Sequence, residues 1–276
     1  MANPSTYVHG TEPVEQTRLA LLNRILNASA LRELDLGAGD RVLDLGAGTG
    51  LFARSMANAV GPTGSVVAVE RSPEQVEAAE SAAAIDEEAG LVSFRCGDAA
   101  MPPLEEDEWG SFDVVHTRFL LEHLKHPEEV VRIMLRAARP GGRIVLADDD
   151  HAVMRMWPEP DGMPALWDLY ARQYQTLGND PFVGRRLISL LHQAGAVRRS
   201  NSMVFFGGCA EQEIFPAIVE NLAGVVESAR SLILSSDGIS PDEFARVLTE
   251  FRRWGTGTDA AIWYPLAWAE GFRPDD

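Results

Sequence analysis

Residues 42–50 read Val-Leu-Asp-Leu-Gly-Ala-Gly-Thr-Gly, and no other stretch limits the possible folds as tightly. Val42–Leu45 is a short apolar run of the kind that forms a strand buried on both faces. Gly46, Gly48 and Gly50 follow at alternate positions, and Leu51, Phe52, Met56 and Val60 then mark one face of a helix. A strand that turns through glycines straight into a helix opens a βαβ unit. Glycine there allows a tight turn and lets a ligand lie against bare main chain.

The next hundred residues repeat the pattern. Strands are predicted at Val66–Val69, Leu91–Arg95, Phe112–Val115 and Arg143–Ala147, with helices from Pro73 to Ala84 and from Pro127 onward. Glu128 and Glu129 open the latter helix and Arg136 and Arg139 close it, which suits its dipole. Arg139-Pro140-Gly141-Gly142 is read as its stop. Five alternating strands and helices imply a parallel sheet covered on both faces. A helix is also expected over residues 14–31. Beyond Asp150, helices are expected at Pro164–Thr176, Phe182–Ala194, residues 211–234 and from Ser240 to about Trp254, with strands at Met203–Gly207 and Ala260–Ala269.

The glycine spacing separates two ligand classes. A dinucleotide loop is GxGxxG, and here Leu51 stands where its third glycine belongs, with Gly50 one residue early. Asp44 precedes the loop, which is awkward for a pyrophosphate and suits a ligand bearing an ammonium or sulfonium. The spacing therefore points away from NAD and toward S-adenosylmethionine. Glu70 ends the second strand, where a carboxylate can accept both ribose hydroxyl hydrogens. Gly97-Asp98-Ala99 follows the third, where a carboxylate and a main-chain N–H can read an adenine edge. A near copy of the loop, Leu34-Asp35-Leu36-Gly37-Ala38-Gly39, follows a helix and precedes a strand, so it is read as a turn.

Forty-one acidic side chains against 24 basic ones give a formal charge of −17, which disfavours nucleic acid as a partner. No apolar run approaches the roughly 20 residues of a membrane span. The start of the chain lacks a basic-then-apolar leader, and two cysteines, Cys96 and Cys209, are no disulfide framework. A cytoplasmic location is expected.

On VLDLGAGTG, VVAVE, GDAA, FDVVHTRFLLEHLKHP and RPGGRIVLAD, the chain resembles the class I S-adenosylmethionine-dependent methyltransferases, particularly the small-molecule enzymes of the ubiquinone/menaquinone-biosynthesis type. The resemblance covers about residues 36–150. It implies an α/β, Rossmann-like, seven-stranded, mostly parallel sheet with helices on both faces. Residues 1–35 would form an N-terminal helical cap segment, 36–155 the cofactor-binding core, and 156–276 the substrate-covering helices and last strands of the same domain. It also implies that Gly46, Ala47, Gly48 and Gly50, preceded by Asp44, cradle the methionine and ribose of S-adenosylmethionine, leaving S-adenosylhomocysteine as product. Glu70 would bind the ribose, Arg71 flank the adenine, Asp98 and Ala99 bind it, and the backbone near His116 face the amino group. The segment Tyr7-Val8-His9-Gly10 resembles a cap in a subset of these enzymes, which makes Tyr7 a candidate cofactor contact.

Methyl transfer is an in-line displacement, and a base is needed only if the nucleophile carries a proton with a high pKa. His116 after the fourth strand and His151 after the fifth are the candidate bases, while His123 is expected to pack in the first turn of its helix. Asp148-Asp149-Asp150-His151 invites a metal. Catechol-type methyltransferases also need an acid after the fourth strand, where this chain has His116-Thr117-Arg118, so no metal is expected and the segment is read as a polar loop beside the substrate mouth. Trp157, Trp167, Tyr170, Tyr174, Phe205, Phe206, Trp263 and Tyr264 are read as mostly core, and any that line a cavity favour a flat or apolar acceptor. The partner expected is a small molecule. The rivals are a nicotinamide oxidoreductase, a catalytically inactive binding module of the same fold, and a protein methyltransferase.

Overall fold

A computed structural model describes residues 26–275 apart from 87, 89 and 237. Tyr7 and most of the expected cap lie outside the described residues. Helix α1 is described over residues 26–34 and delivers the chain through the turn at Gly37–Asp40 into β1 (Arg41–Leu45). The near copy of the glycine loop is thus a turn, with Gly39 at φ 90°.

Alternation then runs as the apolar spacing dictates. It passes through α2 (Leu51–Val60), β2 (Ser65–Glu70), α3 (Pro73–Ile85), β3 (Val92–Cys96), β4 (Phe112–Arg118), α4 (Pro127–Ala137) and β5 (Ala138–Asp148). Side chains of β1 alternate between two apolar layers. Val42 packs with Phe52, Met56 and Val60 of α2, while Leu43 and Leu45 pack with Val130, Val131 and Met134 of α4. Burying a side chain of this size on either face contributes roughly 1.5–3 kcal/mol, so neither layer of helices is dispensable.

The remaining chain forms β6 (Arg155–Trp157), α5 (Met163–Thr176), α6 (Leu187–Ala194), β7 (Val197–Phe205), β8 (Gly208–Cys209), α7 (Phe215–Ser228), α8 (Arg230–Leu234), α9 (Pro241–Trp254), β9 (Ala261–Trp263) and β10 (Pro265–Phe272). The main sheet has the order β3-β2-β1-β4-β5-β10-β7, with β10 antiparallel to both of its neighbours. A second sheet of three short strands has the order β6-β9-β8. Among the described residues, no helix is long and apolar enough to cross a membrane.

Several boundaries differ from the sequence expectation. Strand β4 extends three residues past Val115 because His116, Thr117 and Arg118 pair with β5 and are buried despite their polarity. The Arg139-Pro140-Gly141-Gly142 segment lies within β5 and produces a register shift: Phe112 pairs with Ala138, but Val114 pairs with Arg143. Gly141 at φ 67° accommodates the excursion. The single strand expected over Ala260–Ala269 is two, divided at Tyr264, with one half in each sheet. Ala229 likewise divides the helix expected over 211–234.

The chain leaves β1 toward β2 and β3 on one side, then crosses back to β4 on the other. That reversal opens a crevice at the carboxyl ends of β1 and β4, where open α/β sheets bind ligands. The glycine loop sits at this edge.

Candidate active site

The loop is held in place by β2. The N–H groups of Gly46 and Ala47 both donate to the carbonyl of Val69, at 2.9 and 3.1 Å. Gly46, Gly48 and Gly50 all have positive φ, at 80°, 56° and 72°, a region costly for residues with a Cβ. They differ in what that hydrogen faces. A Cβ at Gly48 would meet only Gln75 Oε1, at 3.5 Å, across the opening of a cleft. A Cβ at Gly50 would lie 2.5 Å from Phe94 Cε1. Gly50 therefore serves the packing of α2 against β3.

The cleft has a volume of about 270 Å³ and is lined on one side by Gly46, Gly48, Glu70 and Arg71, and on the other by Asp98, Ala99, Leu120 and His123. Each of these sits at a strand's carboxyl end or just after it, which is why residues from 46 to 123 converge there. The Glu70 carboxylate bridges the site: Oε2 accepts from Gly48 N at 3.0 Å and Oε1 from Ser72 N at 2.9 Å. A carboxylate has about four lone-pair positions, so two remain for a pair of hydroxyls. Asp98 Oδ1 accepts from Ala100 N at 2.8 Å, which fixes the turn where Asp98 lines the cleft.

A second cavity of about 100 Å³ adjoins at Gly46 and Gly48 and reaches Asp44, His116 and Arg118. Asp44 and His116 are opposite each other in the β1–β4 register, and Asp44 Oδ1 accepts from His116 Nδ1 at 2.7 Å. That bond commits Nδ1, and Nε2 is buried with no partner among the described residues. His116 thus lies within β4 and not after it. Arg118, which sequence reasoning mentioned only against a metal, is buried beside the Phe52 ring, 4.2 Å from its centroid. Burial pushes its pKa down to about 10, against the pull of Asp44, so it is charged at neutral pH. One end of the site therefore carries a buried anion and a buried cation.

A family model described as a methyltransferase domain matches residues 15–199, two thirds of the chain. The chain belongs to this methyltransferase family. It is 33% identical over 127 residues to the ubiquinone/menaquinone biosynthesis C-methyltransferase of Ectopseudomonas mendocina, a match covering 46% of this chain and 48% of that one. The chain spans less than half the length of the curated relatives it matches. Among solved structures, a SAM-dependent methyltransferase from Aquifex aeolicus superposes with a TM-score of 0.52 at 20% identity, covering 70% of this chain and 92% of that one. The [4+2]-cyclase SpnF gives 0.54 at 20% identity, covering 90% and 82%. At these identities the likeness is one of fold: the class I methyltransferase sheet with its seven strands.

Behind His123 lies a cluster that the sequence did not reveal as one unit. Glu122 and His123 stand on a short 3-10 turn, Leu121–His123, rather than in the first turn of an α-helix. Asp148, Asp149, Asp150 and His151 follow β5. This polar segment is buried, with Asp148, Asp150 and His151 at most 5% exposed. His151 Nε2 lies 3.5 Å from Glu122 Oε2 and 4.0 Å from Asp149 Oδ2. Of the eight aromatics singled out in the sequence, Trp167, Tyr170, Tyr174, Phe206 and Tyr264 are buried, while Trp157, Phe205 and Trp263 are exposed.

Burial raises the Glu122 pKa to about 8, opposed by a hydrogen bond from Tyr174 and assisted by Asp180. Burial likewise raises Asp149 to about 7. Both carboxyls are therefore more basic folded than unfolded. Their stabilising contribution is complete below about pH 4, the ordinary carboxylate range, and is lost as pH rises through 7 and 8. His123, lowered to about 4 by burial, with the charges of His151 and Arg71 adding, acts oppositely below pH 6.5. Thermal stability should thus fall between pH 6.5 and 9, and Glu122→Gln should flatten that fall. Parallel melting profiles for the two proteins would contradict the buried-acid assignment.

Proposed function

We propose that the chain binds S-adenosylmethionine across the glycine loop and transfers its methyl group to a small-molecule acceptor. The observation that carries this reading is the Glu70 carboxylate, fastened to Gly48 and Ser72 with capacity for two more hydrogen bonds, at the mouth of a cleft that ends in buried opposite charges. Ribose hydroxyls suit Glu70, an adenine edge suits Asp98 and the Ala99 main chain, and an amino-acid zwitterion suits the end formed by Asp44 and Arg118. A pyrophosphate on the glycine loop would set its charge against Asp44, which speaks against a nicotinamide dinucleotide.

The sulfonium methyl arrives already activated, so the protein's part is to orient, to exclude water and to handle a proton. The glycine loop orients one reactant by holding it against main chain. His116, its Nδ1 committed to Asp44, positions that end of the site. His151, kept neutral by burial against the pull of Asp149 and Asp150, is the better candidate base, since neither ring nitrogen has a partner among the described residues. Residues 156–276 supply α5 and Tyr264 to this region and are assigned to cover the acceptor.

Calorimetry tests the reading. S-adenosylhomocysteine should bind and NADH should not, and Asp98→Ala should weaken S-adenosylhomocysteine by roughly 1–3 kcal/mol, the cost of a lost hydrogen bond to a charged group. NADH binding in place of S-adenosylhomocysteine would refute the assignment.

A further inference from the structure

The cluster behind His123 is acidic, largely dry and short of positive charge. Glu122, Asp148 and Asp149 come from two chain segments, and Glu122 and Asp149 approach the histidines His123 and His151. The nearby cation, Arg185, is taken by Asp150 through two hydrogen bonds of 2.7 and 2.6 Å. Polar atoms left without partners are rare in protein interiors, yet three occur together here: Glu122 Oε2 and both ring nitrogens of His151, with the Tyr264 hydroxyl turned to Asp149. Glu122, His151 and Tyr264 are each at most 6% exposed. His151 Nε2 lies within 4.0 Å of both Glu122 Oε2 and Asp149 Oδ2.

Aromatic rings wall the cluster. The His151 ring centroid lies 5.3 Å from that of Trp167, 5.4 Å from Tyr170, 6.1 Å from Tyr174 and 6.5 Å from Tyr264. Acceptor oxygens beside ring faces are the surroundings that a cationic nitrogen prefers over any neutral or anionic group. The cofactor cleft is next door: His123 lines it, and its Nδ1 is 2.7 Å from the Tyr174 hydroxyl. The surface as a whole, at −17, attracts small cations from solution.

We propose that this cluster recognises the acceptor as an ammonium, so that the substrate class is a primary or secondary amine; the inference rests on the methyl-transfer reading above. With Glu122 and Asp149 beside it, the neutral His151 Nε2 accepts the ammonium proton, which frees the nitrogen lone pair. That pair forms the N–CH3 bond as the C–S bond breaks, and the electrons of the broken bond stay on sulfur, leaving a neutral thioether. The other groups facing Glu122 and His151 are His123 on the same turn, Asp148 to Asp150 after β5, Tyr170 and Tyr174 on α5, Asp180 in the following loop, and Tyr264. Permanent cations border the cluster at Arg71, whose charge reaches His123, and at Arg185, which Asp150 holds. Burial and neighbouring acids raise the Asp148 pKa well above its usual range, which agrees with a site wanting a cation.

The test uses the full chain saturated with S-adenosylhomocysteine and titrated with amines (phenethylamine, butylamine, piperidine), each paired with its nearest neutral and carboxylate counterparts. At least one amine should bind tenfold or more tightly than its neutral counterpart and more tightly still than the carboxylate. Glu122→Gln should reduce that preference to threefold or less while leaving S-adenosylhomocysteine affinity in place. Asp149→Asn provides a second variant should Glu122→Gln fail to fold. No preference for any amine, or a preference that survives both substitutions, overturns the proposal. Failure of S-adenosylhomocysteine itself to bind the unaltered chain would instead remove the reading on which it rests.

Discussion

Gly50→Val should lower the melting temperature by on the order of 6–12 °C, the shift that about 3 kcal/mol produces in a domain of this size. Two costs add. A branched residue must adopt the left-handed conformation observed at φ 72°, at roughly 1–2 kcal/mol. Its Cβ must also enter a space 2.5 Å from Phe94 Cε1 and 3.0 Å from Ala79 Cβ, an overpacking of roughly 1–3 kcal/mol. Phe94 belongs to β3 and Ala79 to α3, so neither can retreat without moving an element. Gly48→Val is the instructive contrast. Its Cβ meets nothing closer than 3.5 Å, so packing adds little to the backbone strain, but the new side chain occupies the cleft and should suppress S-adenosylhomocysteine binding. Melting curves and calorimetry on both proteins check the division, and equal melting temperatures would contradict it.

Glu70→Ala should weaken S-adenosylhomocysteine about 100-fold, which corresponds to about 3 kcal/mol. The carboxylate is assigned two ribose hydroxyls, and it also anchors the loop by accepting from Gly48 N and Ser72 N. Hydrogen bonds to a charged group contribute roughly 1.5–3 kcal/mol each, and losing the anchor lets Gly48 drift from the geometry the ligand needs. Glu70→Gln retains an acceptor oxygen and should fall between the two. An alanine variant with unaltered melting and affinity within threefold of the parent would remove Glu70 from the site.

Much of this was legible from local sequence. Val42–Leu45 alternates between two apolar layers, and the three glycines after it admit only a narrow set of backbone shapes, so strand, turn and helix could be read together. Glu70 and Asp98 were legible for the same reason, since each ends or follows a strand whose boundaries are set by hydrophobic pattern. Where pattern failed, polarity misled. His116, Thr117 and Arg118 read as a strand's end and proved to be buried within β4, because Asp44 and the Leu45 carbonyl meet two of them across 72 residues of sequence.

The chain's own order of residues determined the five strand–helix repeats, the glycine turn and the sign of its surface charge, because each depends on neighbours a few positions apart. Only the tertiary structure decided that Asp44 holds His116, that Gly50 packs closely against the Phe94 ring, and that Glu122, His151 and Tyr264 share one interior space. Those outcomes depend on which strands pair and in what register, and no local rule carries that information.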